Sequence, residues 1–356
     1  MSLKRIRVLV VDDSILMRRM IVDQIQSATD IELAGVACDG REAVDLVPKL
    51  NPDVVTMDIE MPRLNGLEAV TEIMRRHPVP VVMVSSLTTR AANVTLEALN
   101  RGALDFVAKP TSAGAVQAKL SEELLGKVRF AAAVDLKVLR QSKAKPQRPS
   151  ITATADTNSV VKCIALGIST GGPPALTTLF EQLKPPQPPI VVVQHMPAQF
   201  TGPFAARLDA VSPLKIKEAE TGDPIEPNSV LIAPGGKHLE VKRSGGRLSA
   251  VIRGGDPVNG HKPSVDVMMR SVADVFGRHC LGVIMTGMGS DGSDGCRAIK
   301  DAGGTVIGQD EPTSAVYGMN KSAFVDGNVD LQFSLDEASA TISHFSQQSS
   351  PAAPVN

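Results

Sequence analysis

The second half of the chain contains a serine, a histidine and an aspartate that each follow a short apolar run, namely Ser169, His195 and Asp291. A serine hydroxyl becomes a nucleophile when an imidazole takes its proton and a carboxylate orients that imidazole. Short β-branched runs are typical of buried parallel strands, and chemistry in parallel α/β sheets gathers at the carboxyl ends of strands. The three residues can therefore meet at one sheet edge as a hydrolytic triad. The runs that precede them cover residues 160–168, 190–194 and 281–285.

More than one histidine of the second half could serve as the base that activates Ser169. His195 is preferred because it directly follows a buried strand at the predicted active edge. His261, in the segment from Pro257 to Asp266, is the main alternative, and His238 is a weaker one. His279 precedes a strand start and His344 lies in the final helix, so neither is expected at this edge.

Glycine-rich loops surround the predicted nucleophile and acid. Gly171 and Gly172 allow a tight turn after Ser169 into a helix, whose N-terminal N–H groups favour negative charge. Phosphate binding is the weaker alternative for this turn, because it lacks the lysine and the glycine spacing of phosphate loops. Asp291 has an alternative role as the N-cap of the helix after it. The same loop offers backbone donors near Met288 for an oxyanion hole.

The first half has a second set of polar side chains at predicted strand ends. Asp12 and Asp13 follow the first strand, Asp58 the third, Ser85 the fourth and Lys109 the fifth. Carboxylates that converge repel one another unless a cation lies between them, and hard oxygen ligands suit Mg²⁺. A carboxylate beside Mg²⁺ and an ammonium group can accept a phosphoryl group. The alternative, that the aspartate pair only caps the first helix, leaves the other residues of the set unexplained.

The order of elements predicts an α/β protein with two domains. Five short strands alternate with helices up to about residue 125, which predicts a doubly wound parallel sheet. A helical extension and flexible linker are expected over 126–159, a mainly parallel α/β hydrolytic domain over 160–345, and a disordered tail over 346–356. The second domain should also contain a small antiparallel patch formed by residues 229–233, 239–242 and 248–252.

Composition excludes several classes of protein. The chain has 37 basic and 38 acidic residues, no Trp and one Tyr, so it lacks the basic surface and stacking aromatics of a nucleic-acid-binding protein. Its four cysteines form no C-x-x-C pair, which disfavours a zinc site and fits a reducing cytosol. The apolar run near the N-terminus is too short for a signal peptide, and no stretch reaches the roughly 18 residues of a membrane span.

The first half resembles the receiver domain of bacterial response regulators. The resemblance covers residues 5–125 and includes every motif position above. It implies that Asp58 is the phosphoacceptor, that Lys109-Pro110 carries a cis peptide bond, and that Phe106 is the aromatic that moves on activation. It also implies that Asp12, Asp13, Asp58 and the backbone carbonyl of Glu60 hold Mg²⁺, with Asp12 acting through water, and that Ser85 and Lys109 contact the phosphoryl oxygens.

The second half, residues 160–345, resembles the catalytic domain of the chemotaxis protein-glutamate methylesterase (CheB) family. The resemblance implies Ser169 as nucleophile, His195 as general base and then acid, Asp291 as the residue that orients His195, and the Met288 N–H as oxyanion donor. Ser290 departs from the family, where Asn is common, and little effect is expected. The matching segments are Ser169–Gly172, Gln194–Pro197, Ile232–Gly235, Pro263–Asp266 and Thr286–Gly292.

A receiver joined to this domain implies a cytoplasmic, phosphorylation-activated serine hydrolase. It would demethylate glutamate methyl esters, and deamidate specific glutamines, on methyl-accepting chemotaxis receptors. A chemotaxis histidine kinase would be the phosphodonor, and no nucleic acid or membrane insertion is expected. Hydrolysis would need no cofactor, and Mg²⁺ would serve phosphorylation. The alternatives are a non-catalytic adaptor that docks on receptors and, more weakly, a DNA-binding regulator, for which no basic recognition helix is visible.

Overall fold

The computed structural model describes residues 4–109, 115–134 and 161–347. The chain divides between residues 137 and 138 into two compact units. No helix in the described ranges is both long and apolar enough to cross a membrane. The Lys109-Pro110 peptide, most of the predicted linker and most of the predicted tail lie outside the described residues.

The first unit is built on one parallel sheet of five strands in the order β2-β1-β3-β4-β5, which confirms the predicted doubly wound sheet. Chain order reverses between β1 and β3, so the crevice where ligands bind in such sheets opens between the ends of these two strands. The elements are β1 (Ile6–Val11), α1 (Ile15–Ser27), β2 (Ile31–Ala37), α2 (Gly40–Leu50), β3 (Val54–Asp58), α3 (Gly66–Arg76), β4 (Val81–Ser85), α4 (Thr89–Asn100), β5 (Asp105–Ala108) and α5 (Ala115–Ala133).

Local sequence explains where the helices of this unit begin. The side chains of Ser14, Asp39 and Thr88 accept hydrogen bonds from the first turns of α1, α2 and α4. Asn65 and Glu68 form a reciprocal capping box at the start of α3. The loops between strands and helices are therefore held firmly, which is what a site at the strand ends requires.

The second unit is built on a parallel sheet of seven strands in the order β14-β13-β12-β6-β7-β9-β8. The chain leaves β6 toward β7 and later returns to the other side of β6 with β12, so the crevice of this sheet lies at the ends of β6 and β12. The elements are β6 (Cys163–Ile168), α6 (Gly172–Gln182), β7 (Ile190–Gln194), α7 (Ala198–Val211), β8 (Lys215–Glu218), β9 (Ser229–Ile232), β10 (His238–Ser244), β11 (Arg247–Arg253), α8 (Val265–Phe276), β12 (Cys280–Ile284), α9 (Ser293–Asp301), β13 (Thr305–Gln309), α10 (Met319–Val325), β14 (Leu331–Phe333) and α11 (Ala338–Gln347).

The antiparallel part of this unit is smaller than predicted. Strands β10 and β11 form an antiparallel hairpin, in which His238 pairs with Arg253 and Ser244 with Arg247. The assignment of residues 229–233 to this patch is wrong, because β9 pairs in parallel with both β7 and β8. Residues 230–233 are all buried, and an apolar run buried on both faces is typical of a central parallel strand.

The C-terminal helix corrects the start of the predicted tail. Helix α11 extends through Gln347, so the two residues from Ser346 onward that the structure describes are helical. The Ser346 hydroxyl donates to the Gln187 side chain at 2.9 Å and to the Ser343 carbonyl at 3.1 Å. These contacts tie the end of the helix to the loop before β7.

Candidate active site and phosphorylation site

Ser169 and His195 lie side by side at the ends of neighbouring strands. Ile168 pairs with Gln194 in the β6–β7 ladder, and the His195 N–H donates to the Ile168 carbonyl at 3.2 Å. On the other side, the Ser169 N–H donates to the carbonyl of Thr286, just past β12, at 2.9 Å. The predicted nucleophile therefore lies at the crevice of the seven-stranded sheet, with the predicted base next to it.

The imidazole of His195 is paired with the carboxylate of Asp291. The two atoms that meet are Nε2 and Oδ2, 2.8 Å apart, and the side chains are 9% and 0% exposed. The other ring nitrogen, Nδ1, is buried and has no hydrogen-bond partner within the described ranges. Because Nε2 is committed to Asp291, Nδ1 is the nitrogen that remains to take a proton from a serine hydroxyl.

Asp291 is bound by the N-terminus of helix α8. Its carboxylate accepts hydrogen bonds from the Ser264 hydroxyl at 2.8 Å, the Val265 N–H at 2.7 Å and the Asp266 N–H at 3.2 Å. Burial raises the pKa of the Asp291 carboxyl, but the bonds from His195, Val265 and Ser264 outweigh it, so the net pKa is lowered. Asp291 thus stays an anion, as the partner of a catalytic imidazole must.

The alternative role of Asp291 as N-cap of the helix that follows it is wrong. Helix α9 begins after Gly292, which offers no side chain. The side chain that binds its N-terminus is Asp266, whose Oδ1 accepts from the N–H groups of Gly292 at 2.9 Å and Gly295 at 2.7 Å. Asp291, which precedes α9, therefore binds the N-terminus of α8, and Asp266, which lies in α8, binds the N-terminus of α9. These crossed hydrogen bonds hold the two helices together beside the site.

Sequence reasoning missed this function of Asp266. An acidic residue in the first turn of a helix is ordinarily a solvated partner of the helix dipole, so its type and position carry no further signal. In the structure the residue is fully buried. Burial, and secondarily the neighbouring charge of Asp291, raise the pKa of the Asp266 carboxyl.

His238 has another role than that of a base. Its Nε2 lies 3.0 Å from the Asp256 carbonyl, and its Nδ1 accepts from the Ser264 N–H at 3.3 Å. Both ring nitrogens are thus engaged, and the ring supports the serine that bonds to Asp291.

Gln194 connects the backbones of the predicted nucleophile and base. Its Nε2 donates to the Ser169 carbonyl at 2.9 Å and to the His195 carbonyl at 3.1 Å, and the residue is 2% exposed. The amide lies against Gly172, where any Cβ would collide with its oxygen. This glycine is therefore needed for close packing beside the site.

The residue predicted as oxyanion donor, Met288, lies in the loop after β12. Met288 is 46% exposed, and within residues 161–347 its N–H donates no backbone hydrogen bond. The adjacent Gly287 is held by its N–H bond to the Val316 carbonyl at 3.1 Å. A Cβ at Gly287 would lie 2.9 Å from the Cβ of Ser169 and would also collide with the sulfur of Met319.

Replacing Gly287 with Ala is expected to lower kcat for ester hydrolysis by about tenfold or more, because the new methyl group displaces Ser169. Overpacking should also destabilise the fold by about 1–3 kcal/mol. Steady-state kinetics and thermal unfolding measure the two effects. Gly254→Ala is the matched control, since no atom lies within 4 Å of a Cβ there. Equal kcat in both variants would contradict the close contact.

The polar residues of the first unit also converge at strand ends. The Lys109 ammonium lies 2.8 Å from an oxygen of Asp58 and 2.9 Å from an oxygen of Asp12. Burial is the main cause that raises the pKa of the Asp58 carboxyl, against the lowering effect of Lys109. Burial also lowers the pKa of Lys109, but its bonds to Asp58 and Asp12 outweigh this and the net shift is upward.

The carboxylates of Asp12, Asp13 and Asp58 fit a divalent cation. Their ligand atoms lie within 4.8 Å of one another, and one ammonium does not balance the charge of three carboxylates. All are hard oxygen donors, as Mg²⁺ prefers. The Glu60 carboxylate lies 3.9 Å from the Arg90 guanidinium and is not part of this group of carboxylates.

Ser85 ends strand β4, and Phe106 lies within the adjacent strand β5. The Ser85 hydroxyl accepts a hydrogen bond from the Thr95 hydroxyl at 2.8 Å, and the residue is buried. Phe106 is 5% exposed, and the Lys127 ammonium lies 5.2 Å from its ring centre. Ser85 lies on the strand next to β3, which carries Asp58, and Phe106 lies one strand further out, on β5.

Comparison with known proteins agrees with this architecture. The family model of the CheB methylesterase matches residues 164–342, and that of the response regulator receiver domain matches residues 8–121. A protein-glutamate methylesterase/protein-glutamine glutaminase of Pyrococcus horikoshii is 43% identical over 95% of this chain and 93% of its own. A relative of the same name from Caulobacter vibrioides is 46% identical over 95% of this chain and 97% of its own.

A solved structure also resembles the second unit. The crystal structure of the CheB methylesterase catalytic domain of Thermotoga maritima is 39% identical, with a TM-score of 0.50, and the match covers 51% of this chain and 97% of that one. Sequence matches along nearly the whole chain and this structural match agree. The chain therefore belongs to the CheB methylesterase family and carries a response regulator receiver domain before the methylesterase domain.

Proposed function

We propose that this protein is a phosphorylation-activated serine hydrolase that demethylates glutamate methyl esters, and deamidates specific glutamines, on methyl-accepting chemotaxis receptors. The names of its relatives, protein-glutamate methylesterase/protein-glutamine glutaminase, support this over a non-catalytic adaptor. Its working parts would be a receiver over residues 1–125, a helical extension and linker over 126–159, a methylesterase domain from residue 160 to the end of helix α11, and a tail after that helix.

The first chemical step is acyl transfer to Ser169. Its hydroxyl oxygen attacks the γ-carbonyl of the methylated glutamate while Nδ1 of His195 takes the hydroxyl proton. The Met288 N–H stabilises the oxyanion of the tetrahedral intermediate, and Asp291 stabilises the imidazolium. His195 then gives the proton to the leaving methoxide, and methanol departs.

The second step hydrolyses the acyl-enzyme. Nδ1 of His195 takes a proton from a water molecule, which attacks the same carbonyl, and Ser169 leaves with that proton restored. The product is a free glutamate. A glutamine follows the same path with ammonia as the leaving group, so one site serves both reactions.

The bond between His195 and Asp291 is the observation that carries this proposal. A carboxylate at 0% exposure, bound to a helix N-terminus and 2.8 Å from an imidazole, is an arrangement that orients a base and stabilises its charged form. Ser169 follows the strand next to that imidazole.

The decisive experiment measures methanol release from methylated receptor membranes, with and without a small-molecule phosphodonor and Mg²⁺. We expect release that depends on the protein and increases with the phosphodonor. An adaptor would bind the membranes without releasing methanol, which would refute the hydrolase. Ammonia release from unmodified receptors tests deamidation in the same way.

The receiver would control this activity through Asp58, which accepts the phosphoryl group from a chemotaxis histidine kinase. Asp12, Asp13, Asp58 and the Glu60 carbonyl would hold Mg²⁺, which supplies positive charge to the transferring phosphoryl group. Lys109 and the Ser85 hydroxyl would bind the phosphoryl oxygens. Movement of Ser85 and Phe106 toward the phosphoryl group would shift the receiver between two states and release the hydrolase.

Asp58→Ala is expected to abolish stimulation by the phosphodonor, because no other carboxylate takes the place of the acceptor. The ratio of methanol release with and without phosphodonor should fall to about one, while basal release stays as in the wild type. Asp53→Ala, which removes a partly exposed carboxylate near the start of β3, is the control and should keep the stimulation. Stimulation of the Asp58 variant would contradict this switch.

A further inference from the structure

The ring of His261 lies flat against the ring of His195. The two ring centres are 3.9 Å apart and the ring planes differ by 3°. His261 was the main alternative for the base in the sequence, but the imidazole that meets the Asp291 carboxylate at 2.8 Å is that of His195. His261 therefore contacts the face of the base, whereas Asp291 contacts its edge.

A tight turn carries His261 to this position. Val258 and His261 exchange backbone hydrogen bonds of 3.0 and 2.9 Å, which closes a two-residue loop. The residues between them, Asn259 and Gly260, have φ values of 51° and 78°. Two consecutive residues with positive φ define the type I′ hairpin turn, for which Asn-Gly is the preferred sequence. The local sequence thus favours this turn.

The turn is also attached to the carboxylates of the site. The Asn259 side-chain amide donates to Oδ2 of Asp266 at 2.6 Å. The other oxygen of Asp266 binds the N–H of Gly292, next to Asp291 in the chain. One network therefore holds both the carboxylate at the edge of the base and the turn that covers its face.

A single hydrogen bond leaves the orientation of an imidazole incompletely defined. Within residues 161–347 the His195 side chain has one hydrogen bond, through Nε2, because Nδ1 has no partner. A ring held at one atom can still tilt about the bond, and a tilt changes the direction in which Nδ1 points. A flat ring stacked on its face opposes this tilt, because the tilt would break the contact between the faces.

We propose that His261 is a positioning residue of the hydrolase, which holds the His195 imidazole in the plane that gives Nε2 to Asp291 and Nδ1 to Ser169. It acts through His195, and the proton is carried by His195. This inference rests on the proposed function, since it assigns a role within the same site.

The test replaces His261 with Ala and with Phe in the full chain. His261→Ala removes the stacked face, and kcat for methanol release from methylated receptor membranes should fall about ten- to a hundredfold with little change in KM. His261→Phe keeps a flat ring without ionisable nitrogens and should restore most of the lost rate. His77→Ala, an exposed histidine of the receiver, is the control and should match the wild type.

A second readout does not depend on turnover. The NMR signal of the His195 N–H bonded to Asp291 should be sharp in the wild type and in His261→Phe, and broadened by ring motion and solvent exchange in His261→Ala. If His261→Ala does not fold, Asn259→Gly keeps the turn conformation but removes the bond to Asp266, and it should lower kcat in the same direction.

The outcomes separate the two proposals. Wild-type kcat and a sharp signal in folded His261→Ala would overturn the positioning role while methanol release by the wild type upholds the hydrolase. A rate that Phe does not restore would also overturn it, since a flat face would then be insufficient. Absence of methanol release from the wild type would refute the hydrolase itself, and the NMR signal would still report on the stacking.

Discussion

Replacing Ser169 with Ala is expected to reduce methanol release from methylated receptors by at least about 1,000-fold. The hydroxyl is the proposed attacking group, and the neighbouring backbone donor and His195 cannot form an acyl-enzyme without it. Structure should be preserved, because the contacts that hold this residue use its backbone: its N–H donates to the Thr286 carbonyl and its carbonyl accepts from Gln194. Initial rates of methanol release and a thermal unfolding curve measure the two expectations.

The matched control is Ser290→Ala, at an exposed position of the loop that contains Asp291. It removes a hydroxyl near the site without touching the proposed nucleophile, and its rate should stay close to that of the wild type. An acyl-enzyme trapped by acid quench should be found in the wild type and be missing in Ser169→Ala. Turnover retained by the Ser169 variant would place the nucleophile elsewhere.

Replacing Asp291 with Asn is expected to lower kcat by about 1,000- to 10,000-fold. An amide has nearly the same shape as a carboxylate, but it lacks the charge that stabilises the imidazolium. It also has one acceptor oxygen, whereas Asp291 uses both of its oxygens to accept from Ser264, Val265 and Asp266 as well as from His195. The amide group would therefore face donors that it cannot satisfy, and the fold should become less stable.

The pH dependence of stability checks the same residue independently. Because the folded-state pKa of Asp291 is lowered, its carboxylate stabilises the fold above the pKa of about 3.9 of an unfolded aspartate, and this stabilisation is lost as the pH falls toward the lowered value. The difference in Tm between wild type and Asp291→Asn should be steady from neutral pH to about pH 4 and shrink below it.

Asp294→Asn is the matched control for this variant. Asp294 lies on the first turn of α9 with its side chain 60% exposed, and its ion pair with Arg270 spans 3.0 Å. An exposed pair of this kind contributes little, so rate and Tm should change only slightly. A similar loss of rate in both variants would show that kcat depends on the negative charge near α9 rather than on the contact between Asp291 and His195.

The sequence was sufficient to predict the first sheet, part of the second sheet and the sheet edges at which the polar residues lie. In a parallel sheet the strands are buried on both faces, so runs such as residues 81–84 and 190–193 are almost purely apolar, and the next residue marks the functional edge. Asp58, Ser85 and Lys109 could be placed in this way, as could Ser169 and His195. Their roles in catalysis and phosphorylation remain proposals that the variants above test.

The tertiary structure alone decided how Asp291 is held and which residue binds the N-terminus of α9. In the sequence, Asp291 lies just before α9 and Asp266 lies in the first turn of α8. Local capping rules therefore predict that each carboxylate binds the N-terminus of its own helix. Asp291 instead binds the N-terminus of α8 and Asp266 that of α9, because these two helices pack against each other with their N-termini adjacent. The placement of β9 within the parallel sheet was decided in the same way, by its neighbours rather than by its own pattern.

The sequence by itself thus determined which segments form strands and helices and which residues lie at their ends. This is because the patterns of burial and turn formation are set by short stretches of sequence. The Asn259-Gly260 turn is the clearest local case. The face of His195 that it covers, and the ring nitrogen that Asp291 binds, were decided only when segments distant in sequence packed together. Hydrogen-bond partners across such distances depend on the three-dimensional positions of whole helices and strands, and no local pattern encodes these positions.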